Sequence, residues 1–370
     1  CVDLEFVPVA QWVYLIQYWS ASPILSGILY EVFRRPKFLC GSRGELNMNQ
    51  IFRKLQVSEH IELYQIAEGV YAAIGLIGGA AYSNAGIIDL GDRALIFDTF
   101  ETPTAADDLR AAAEQLVGNQ FSYIIISHAH TDHWMGNQSF PESVAIITTQ
   151  VIRDEMYEYG AEMRELQQNP SEFEEEIREY EERLQAETDE GQRASLQATI
   201  SRYRYSLEML PDLKLRFPNQ TFDGKLVFHG SQRAVELVAS GKGHTASDCF
   251  LVLPAEKIAF IGDLGFFQCQ PYMVYCDPDA WVAQLEAMEA WDIETFVPGH
   301  GPVGSKVDLA LQKEYIRTLD QLVARVIGEG GTVEDVLRQP LPAPFDAWLP
   351  AGRARFEANV RSSYKRLFGG

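Results

Sequence analysis

The chain has 370 residues, 46% of them hydrophobic and 22% charged, with 52 acidic against 31 basic side chains and a net charge of -21. That length suits one large domain or two ordinary ones with ample core, and the composition is that of a globular protein. So large a negative excess repels a phosphate backbone and no Lys/Arg cluster offsets it, which excludes a nucleic-acid partner.

The five cysteines, Cys1, Cys40, Cys249, Cys269 and Cys276, are odd in number and lack a Cys-x-x-Cys spacing. They read as free thiols in a reducing, cytoplasmic compartment, with Cys269 and Cys276 lining core or pocket rather than binding metal. Residues 1–47 differ from the rest: they hold no methionine, whereas Met48 opens a plausible start. The stretch 12–33 is largely apolar and is followed by Arg34, Arg35 and Lys37. It is long enough for a membrane anchor with a cytoplasmic basic flank, but lacks the basic region that precedes the apolar run of a secretory signal. We read residues 1–47 as an extension or leader outside the natural domain, with the anchor as the alternative.

From residue 61 onward, strands and helices alternate. Segments 71–77, 86–89 and 94–97 read as strands, the last ending at Asp98; 104–117 has the apolar spacing of a helix capped by Thr102 or Thr104. A β-branched run, 121–126, leads into Ser127-His128-Ala129-His130-Thr131-Asp132-His133-Trp134-Met135-Gly136-Asn137, and 144–148 is a further strand. Residues 150–210 form a helical insertion. Phe173, Ile177, Tyr180 and Leu184 share one face, as do Leu196, Ile200, Tyr203 and Leu207, with a turn at 188–191. This predicts a helical hairpin whose glutamates 174, 175, 176, 181 and 182 make a solvated face; a lid or a homodimer contact over the site is the functional alternative. Strands follow at 225–228, 234–238, 250–253 and 257–261, then a helix at 278–290 and a strand at 294–297. Helices at 306–328 and 351–367 flank the proline-broken 340–344. Two strand-rich halves with interspersed helices predict an α/β sheet sandwich flanked by helices.

Three imidazoles and a carboxylate within six positions, at a strand end, form a set of ligands suited to a divalent zinc ion, and packing has no use for them. His244 and His300 sit in turns downstream, in Gly243-His244-Thr245 and Pro298-Gly299-His300-Gly301, and Asp263 closes the apolar run 258–262. Lone histidines are ordinarily surface residues, which is the reading for His60 and His229. Taken singly, Asp263 suits a strand-end turn and Asp98 a helix cap.

On these residues the chain resembles the metallo-β-lactamase superfamily. The motif His-x-His-x-Asp-His stands as His128, His130, Asp132 and His133. The later ligands match as His244 in Gly-His-Thr, Asp263 in Gly-Asp-Leu and His300 in Pro-Gly-His-Gly, so the resemblance covers about residues 65–305. It implies an αββα sandwich over 61–305, here with an inserted helical hairpin at 150–210 and a helical C-terminal extension at 306–370. It further implies that His128, His130 and His244 hold one metal, that Asp132, His133 and His300 hold a second, and that Asp263 bridges them. Asp98 would accept a hydrogen bond from a ligand histidine. The cofactor expected is a pair of Zn2+ ions, with Fe or Mn as alternatives. Elementary geometry agrees: residues two apart on an extended chain point the same way, so His128 and His130 face one ion. Asp132 and His133 fall where the loop turns towards a helix, and Gly136 permits close chain approach.

The chemistry implied is metal-assisted hydrolysis of a small molecule: a bridging hydroxide, its pKa lowered towards about 7, attacks an ester, lactone, thioester or amide. Asp132 is the candidate catalytic residue, orienting the hydroxide and accepting its proton. His133 stands where one β-lactamase subclass has arginine and Asp263 where it has cysteine, so the chain is more similar to glyoxalase II and the acyl-homoserine lactonases. Glyoxalase II's basic C-terminal motif is not visible, and His130 weighs against the flavodiiron reductases. The insertion, Phe266, Phe267, Gln268 and Tyr272 are expected to shape the pocket, with Trp134 either a wall or core. Two other readings stay open: a mononuclear iron enzyme resembling the persulfide dioxygenases, and a non-catalytic binding module on the same fold.

Overall fold

In the computed structural model, residues 52–118, 121–348 and 353–369 are described. The expectations for residues 1–47, and Cys1 and Cys40 with them, lie outside that range. Eight strands run in chain order across the first sheet: β1 (Arg53–Val57), β2 (Ile61–Ala67), β3 (Val70–Gly75), β4 (Ala85–Asp89), β5 (Ala94–Phe97), β6 (Phe121–Ile125), β7 (Ala145–Thr149) and β8 (Gln220–Phe222). The first five pair antiparallel and β5 to β8 pair parallel. The second sheet holds β9 (Lys225–His229), β10 (Ala234–Gly241), β11 (Asp248–Leu253), β12 (Ile258–Phe266) and β13 (Thr295–His300), in the order β13-β12-β11-β10-β9. Its β12 and β13 are parallel.

A parallel pair needs a crossover, and the helices supply it. Helix α1 (Pro103–Val117) joins β5 to β6. The Thr102 side chain accepts from the Ala105 N–H, Pro103 opens the first turn, and Ala105, Ala106, Leu109, Ala112 and Ala113 form the buried stripe. Between β7 and β8 lie α2 (Gln150–Gln168), α3 (Ser171–Ala186) and α4 (Glu190–Met209), and α5 (Pro278–Ala290), capped by Asp277, joins β12 to β13. The chain ends in α6 (Lys306–Gly328), α7 (Val333–Leu337) and α8 (Arg353–Phe368).

The two sheets meet face to face, with Phe97 of β5 and Phe260 of β12 5.8 Å apart between ring centroids. Trp281 and Leu285 of α5, Tyr315 and Leu319 of α6 and Phe356 of α8 pack with Phe250, Ile261 and Phe296 into one core cluster on the second sheet. The C-terminal helices are thus part of the outer layer of the sandwich. Cys269 and Cys276 pack against this cluster, and burial pushes both thiols up to about 12. No helix among the described residues is long and apolar enough to cross a membrane.

The structure differs from expectation in several places. Strand β1 precedes the anticipated start at residue 61, β2 precedes the first expected strand at 71–77, and the three-residue β8 carries no sequence signal. The insertion is a helix followed by the hairpin: α3 and α4 pair through Phe173 and Tyr180 against Tyr203, at 5.2 and 5.6 Å. Strand β12 continues past Ile261 to Phe266, taking Asp263 into the sheet. His60 is buried rather than on the surface, because Tyr205 of α4 covers it edge-on at 5.3 Å, whereas His229 is exposed.

Candidate metal centre

The parallel pairing brings the ends of β5, β6 and β13 to one edge of the sandwich. Past β6 the chain bends at His128 and Ala129, is extended at His130, and then Thr131, Asp132 and His133 make a single tight helical turn. Asp132 and His133 join His300 in a second group, while the His133 ring stays beside His128 at 4.3 Å between centroids. Gly136 follows because the loop presses on the chain after β5: a Cβ there would lie 1.9 Å from the Thr99 carbonyl oxygen. Trp134 is a core residue and not a pocket wall; it is fully buried beside Phe217, and its Nε1–H donates to the Ala129 carbonyl at 2.8 Å.

His244 sits in the turn between β10 and β11. Asp248 holds that turn, accepting from the Thr245 N–H at 3.1 Å and the Thr245 hydroxyl at 2.8 Å. Asp263 lies in β12 where the ladder to β13 is irregular, and His300 ends β13. Asn84 fastens the His300 turn to the first sheet, its Nδ2–H donating to the carbonyls of Pro298 and Gly301 at 2.9 and 2.8 Å.

All seven expected side chains come together, in two groups that could each hold a metal ion: His128, His130, His244 and Asp263, then Asp132, His133 and His300. In the first, His130 Nδ1 is 3.1 Å from His128 Nε2 and 3.0 Å from His244 Nε2. Asp263 Oδ2 lies 3.3 Å from His244 Nε2 and 3.7 Å from His128 Nε2. In the second, Asp132 Oδ2 is 3.2 Å from His300 Nε2 and 3.6 Å from His133 Nε2. Asp263 stands between the groups, with Oδ1 3.1 Å from His133 Nε2 and Oδ2 3.4 Å from His300 Nε2.

This donor set fits a divalent cation. Nitrogens about 2.0–2.1 Å from a tetrahedral zinc are about 3.3 Å apart, close to the separations in the first group. His133 Nε2 and Asp263 Oδ1 are buried with no hydrogen-bond partner, which is costly unless something else satisfies them. Burial, with His133 nearby, lowers His128 well below the ordinary imidazole range, and burial with His244 nearby brings His130 down to about 3. Both are therefore neutral, the ligating form. Burial resists ionisation of Asp263, but His300, His133 and His128 outweigh it and hold the carboxyl well below its usual range. Asp132 is likewise lowered against burial by His133 and His300. Burial also opposes charge on His133 and His300, yet Asp263 and Asp132 raise the first well above 6.5 and the second to about 9. The second group thus carries protons that a bound cation would displace.

Asp98 stands directly behind the second group. Its Oδ2 is 2.8 Å from His133 Nδ1, and it accepts from the Ser127 N–H and hydroxyl, both at 2.8 Å. Of the expected pocket residues, Tyr272 lies 6.0 Å from His130 and Phe266 stacks on His300 at 4.8 Å, while Tyr159 of α2 lies 5.9 Å from His130, so the insertion reaches the centre. Tyr275, 5.9 Å from His130, was not anticipated from the sequence. Tyr82, Glu101, Arg202 and Arg355 form a polar group beside His300, and nothing in local spacing connects them. A cavity of about 220 Å³, lined among others by Thr131, Met135, Met163, Phe173 and Arg202, lies between insertion and core. A larger open cleft of about 530 Å³, between Glu187, Leu196 and Arg353, holds none of the clustered ligands.

Two face-to-face sheets with outer helices, and a five-histidine, two-aspartate cluster at one edge, define the class: an αββα protein with a candidate metal centre. A sequence model of the metallo-beta-lactamase superfamily matches residues 78–300, more than half of the chain, and the chain belongs to that superfamily. No curated protein matches it.

Proposed function

We propose that the protein is a hydrolase that binds a pair of divalent metal ions, zinc first among them, and cleaves an ester, lactone, thioester or amide in a small molecule. The observation that carries this reading is the completeness of both ligand groups around Asp263. A full second group favours a pair over a single ion, and therefore hydrolysis over a one-iron oxygenase. His128, His130 and His244 would hold one ion, Asp132, His133 and His300 the other, with Asp263 shared. Such a pair, when bound, supplies a water of lowered pKa and polarises the acyl oxygen.

The remaining work falls to the chain. Asp132 would orient the attacking water and take its proton through Oδ2, which faces His300 and His133, while Ser83 fixes Asp132 by donating its hydroxyl to the Asp132 carbonyl at 2.5 Å. Tyr159, Tyr272 and Phe266 keep bulk water from the reacting groups. The 220 Å³ cavity beside Thr131, with its methionines and Phe173, suits an apolar arm of the substrate. Free Cys249, Cys269 and Cys276 support a reducing, cytoplasmic setting.

Metal quantification joined to a panel of esters, lactones, thioesters, phosphodiesters and β-lactams tests the reading. Two metals per chain with turnover of an acyl substrate is the expected result. One iron per chain with oxygen consumption, or full metal loading with no turnover of any acyl substrate, would overturn it.

A further inference from the structure

Three hydrogen-bond donors outside the seven-ligand cluster gather beside His300. Tyr82 lies between β3 and β4 in the left-handed region (φ 64°), its ring edge-on to His300 with centroids 5.4 Å apart. The Arg202 guanidinium of α4 lies 3.4 Å from the centre of the Tyr82 ring. Arg355 of α8 donates Nη2–H to the Tyr82 hydroxyl at 2.7 Å and Nη1–H to the Gln270 carbonyl at 3.0 Å.

Two guanidiniums on one phenol repel each other unless anions share them. Arg202 has its anion, with Nε and Nη2 donating to the two Glu101 oxygens at 2.9 Å each. Arg355 has none: among the described residues no carboxylate pairs with it. Its other neighbours are the neutral faces of Phe266 and Tyr272, at 5.6 and 5.8 Å. The Tyr82 hydroxyl accepts from Arg355 and finds no acceptor for its own proton among the described residues. In a chain with 52 acidic side chains, this partly buried guanidinium has no carboxylate in ion-pair contact among the described residues, and Asp263 attracts it only from longer range. It lies one aromatic ring away from the candidate centre.

We propose that Arg355 and Tyr82 form a specificity subsite for a carboxylate on the substrate, with the Arg202–Glu101 pair holding the Tyr82 ring in place. Arg355 keeps three of its five N–H donors, and the phenol adds one, which matches the two oxygens of a planar carboxylate. Under the hydrolase reading, on which this rests, the substrate is an acyl compound carrying a free carboxylate within a few bonds of the scissile carbonyl, such as the half-ester of a dicarboxylic acid.

The test compares p-nitrophenyl hemisuccinate with p-nitrophenyl butyrate, alongside glutarate binding by calorimetry, in metal-loaded wild type, Arg355→Gln, Arg355→Lys and Tyr82→Phe. Wild type should favour the anionic ester. Arg355→Gln should lower the ratio of the two kcat/KM values by about 10- to 100-fold, mainly through KM, and weaken glutarate by a similar factor. Arg355→Lys should recover part of the ratio, and Tyr82→Phe, which keeps the ring under Arg202, should lower it less. A ratio unchanged within twofold in Arg355→Gln, with glutarate binding also unchanged, overturns the subsite even if both esters are cleaved. Glutarate binding that depends on Arg355 in a metal-loaded protein that cleaves neither these esters nor any lactone, thioester or amide of the panel supports the subsite and sinks the hydrolase reading instead.

Discussion

Asp98 Oδ2 and His133 Nδ1 meet at 2.8 Å with neither group exposed to solvent. That contact sets the ring plane of His133 and aims Nε2 at Asp132 and Asp263. Burial raises the pKa of Asp98, opposed by the nearby His133 and by the hydrogen bonds from His133 and Ser127. The aspartate holds a left-handed backbone (φ 57°) to reach this position. Asp98→Asn keeps the shape and removes the charge, and should weaken metal binding at the second group about 10- to 100-fold. A chelator-competition titration giving the wild-type affinity would contradict the role.

Gly299 sits against the shared carboxylate, where a Cβ would lie 1.9 Å from Asp263 Oδ1 and 2.8 Å from the Gly262 backbone carbonyl carbon. One of these atoms is backbone and the other belongs to the shared carboxylate, so relief would have to come from moving Asp263 or the turn. Gly299→Ala should cost about 1–3 kcal/mol of stability, and reduce bound metal as Asp263 is displaced. Thermal melts and metal content together check this; a variant matching wild type in both would show that the turn relaxes.

Glu155 of α2 offers a pH readout away from the metal ligands. Burial, then the nearby Asp248, raises its pKa to about 7, and its Oε2 is buried without a partner. A carboxyl raised on folding costs nothing below its unfolded pKa; the penalty grows as pH rises through that value and levels off above about 7. Glu155→Gln should therefore match wild type near pH 4 and be about 1–2 kcal/mol more stable near pH 8, the figure reduced for partial exposure. Denaturant melts at the two pH values would expose an error if the difference did not change.

Metal removal should destabilise the fold at the sandwich edge, because carboxylates and imidazoles then crowd one another without a cation. Free metal at about a thousand times its dissociation constant adds about 4 kcal/mol to a fold that binds it only when native. Chelation should lower Tm and zinc should restore it. Equal melting temperatures with and without metal would mean that the cluster does not bind it.

The histidine loop, His244, Asp263 and His300 were legible in the sequence because metal ligation needs particular atoms in particular local settings. The loop that follows β6 carries His128 and His130, and the tight turn after it carries Asp132 and His133. The buried runs of β5, β6 and β11 were equally plain. His60 was misread because its burial depends on Tyr205, 145 positions later, and on the way α4 settles over the first sheet.

What the sequence determined by itself is the layered α/β class and the helical nature of the insertion, which follow from periodicity within a few turns of chain, and the candidate ligand set, which follows from motifs shared with the superfamily. Tertiary structure alone decided that Tyr82 meets Arg355 across 273 positions and that Glu101 meets Arg202 across 101. No local period or motif joins such residues. Their meeting follows from parallel crossovers and helix docking, where burial of apolar faces chooses the neighbours and polar groups are carried along.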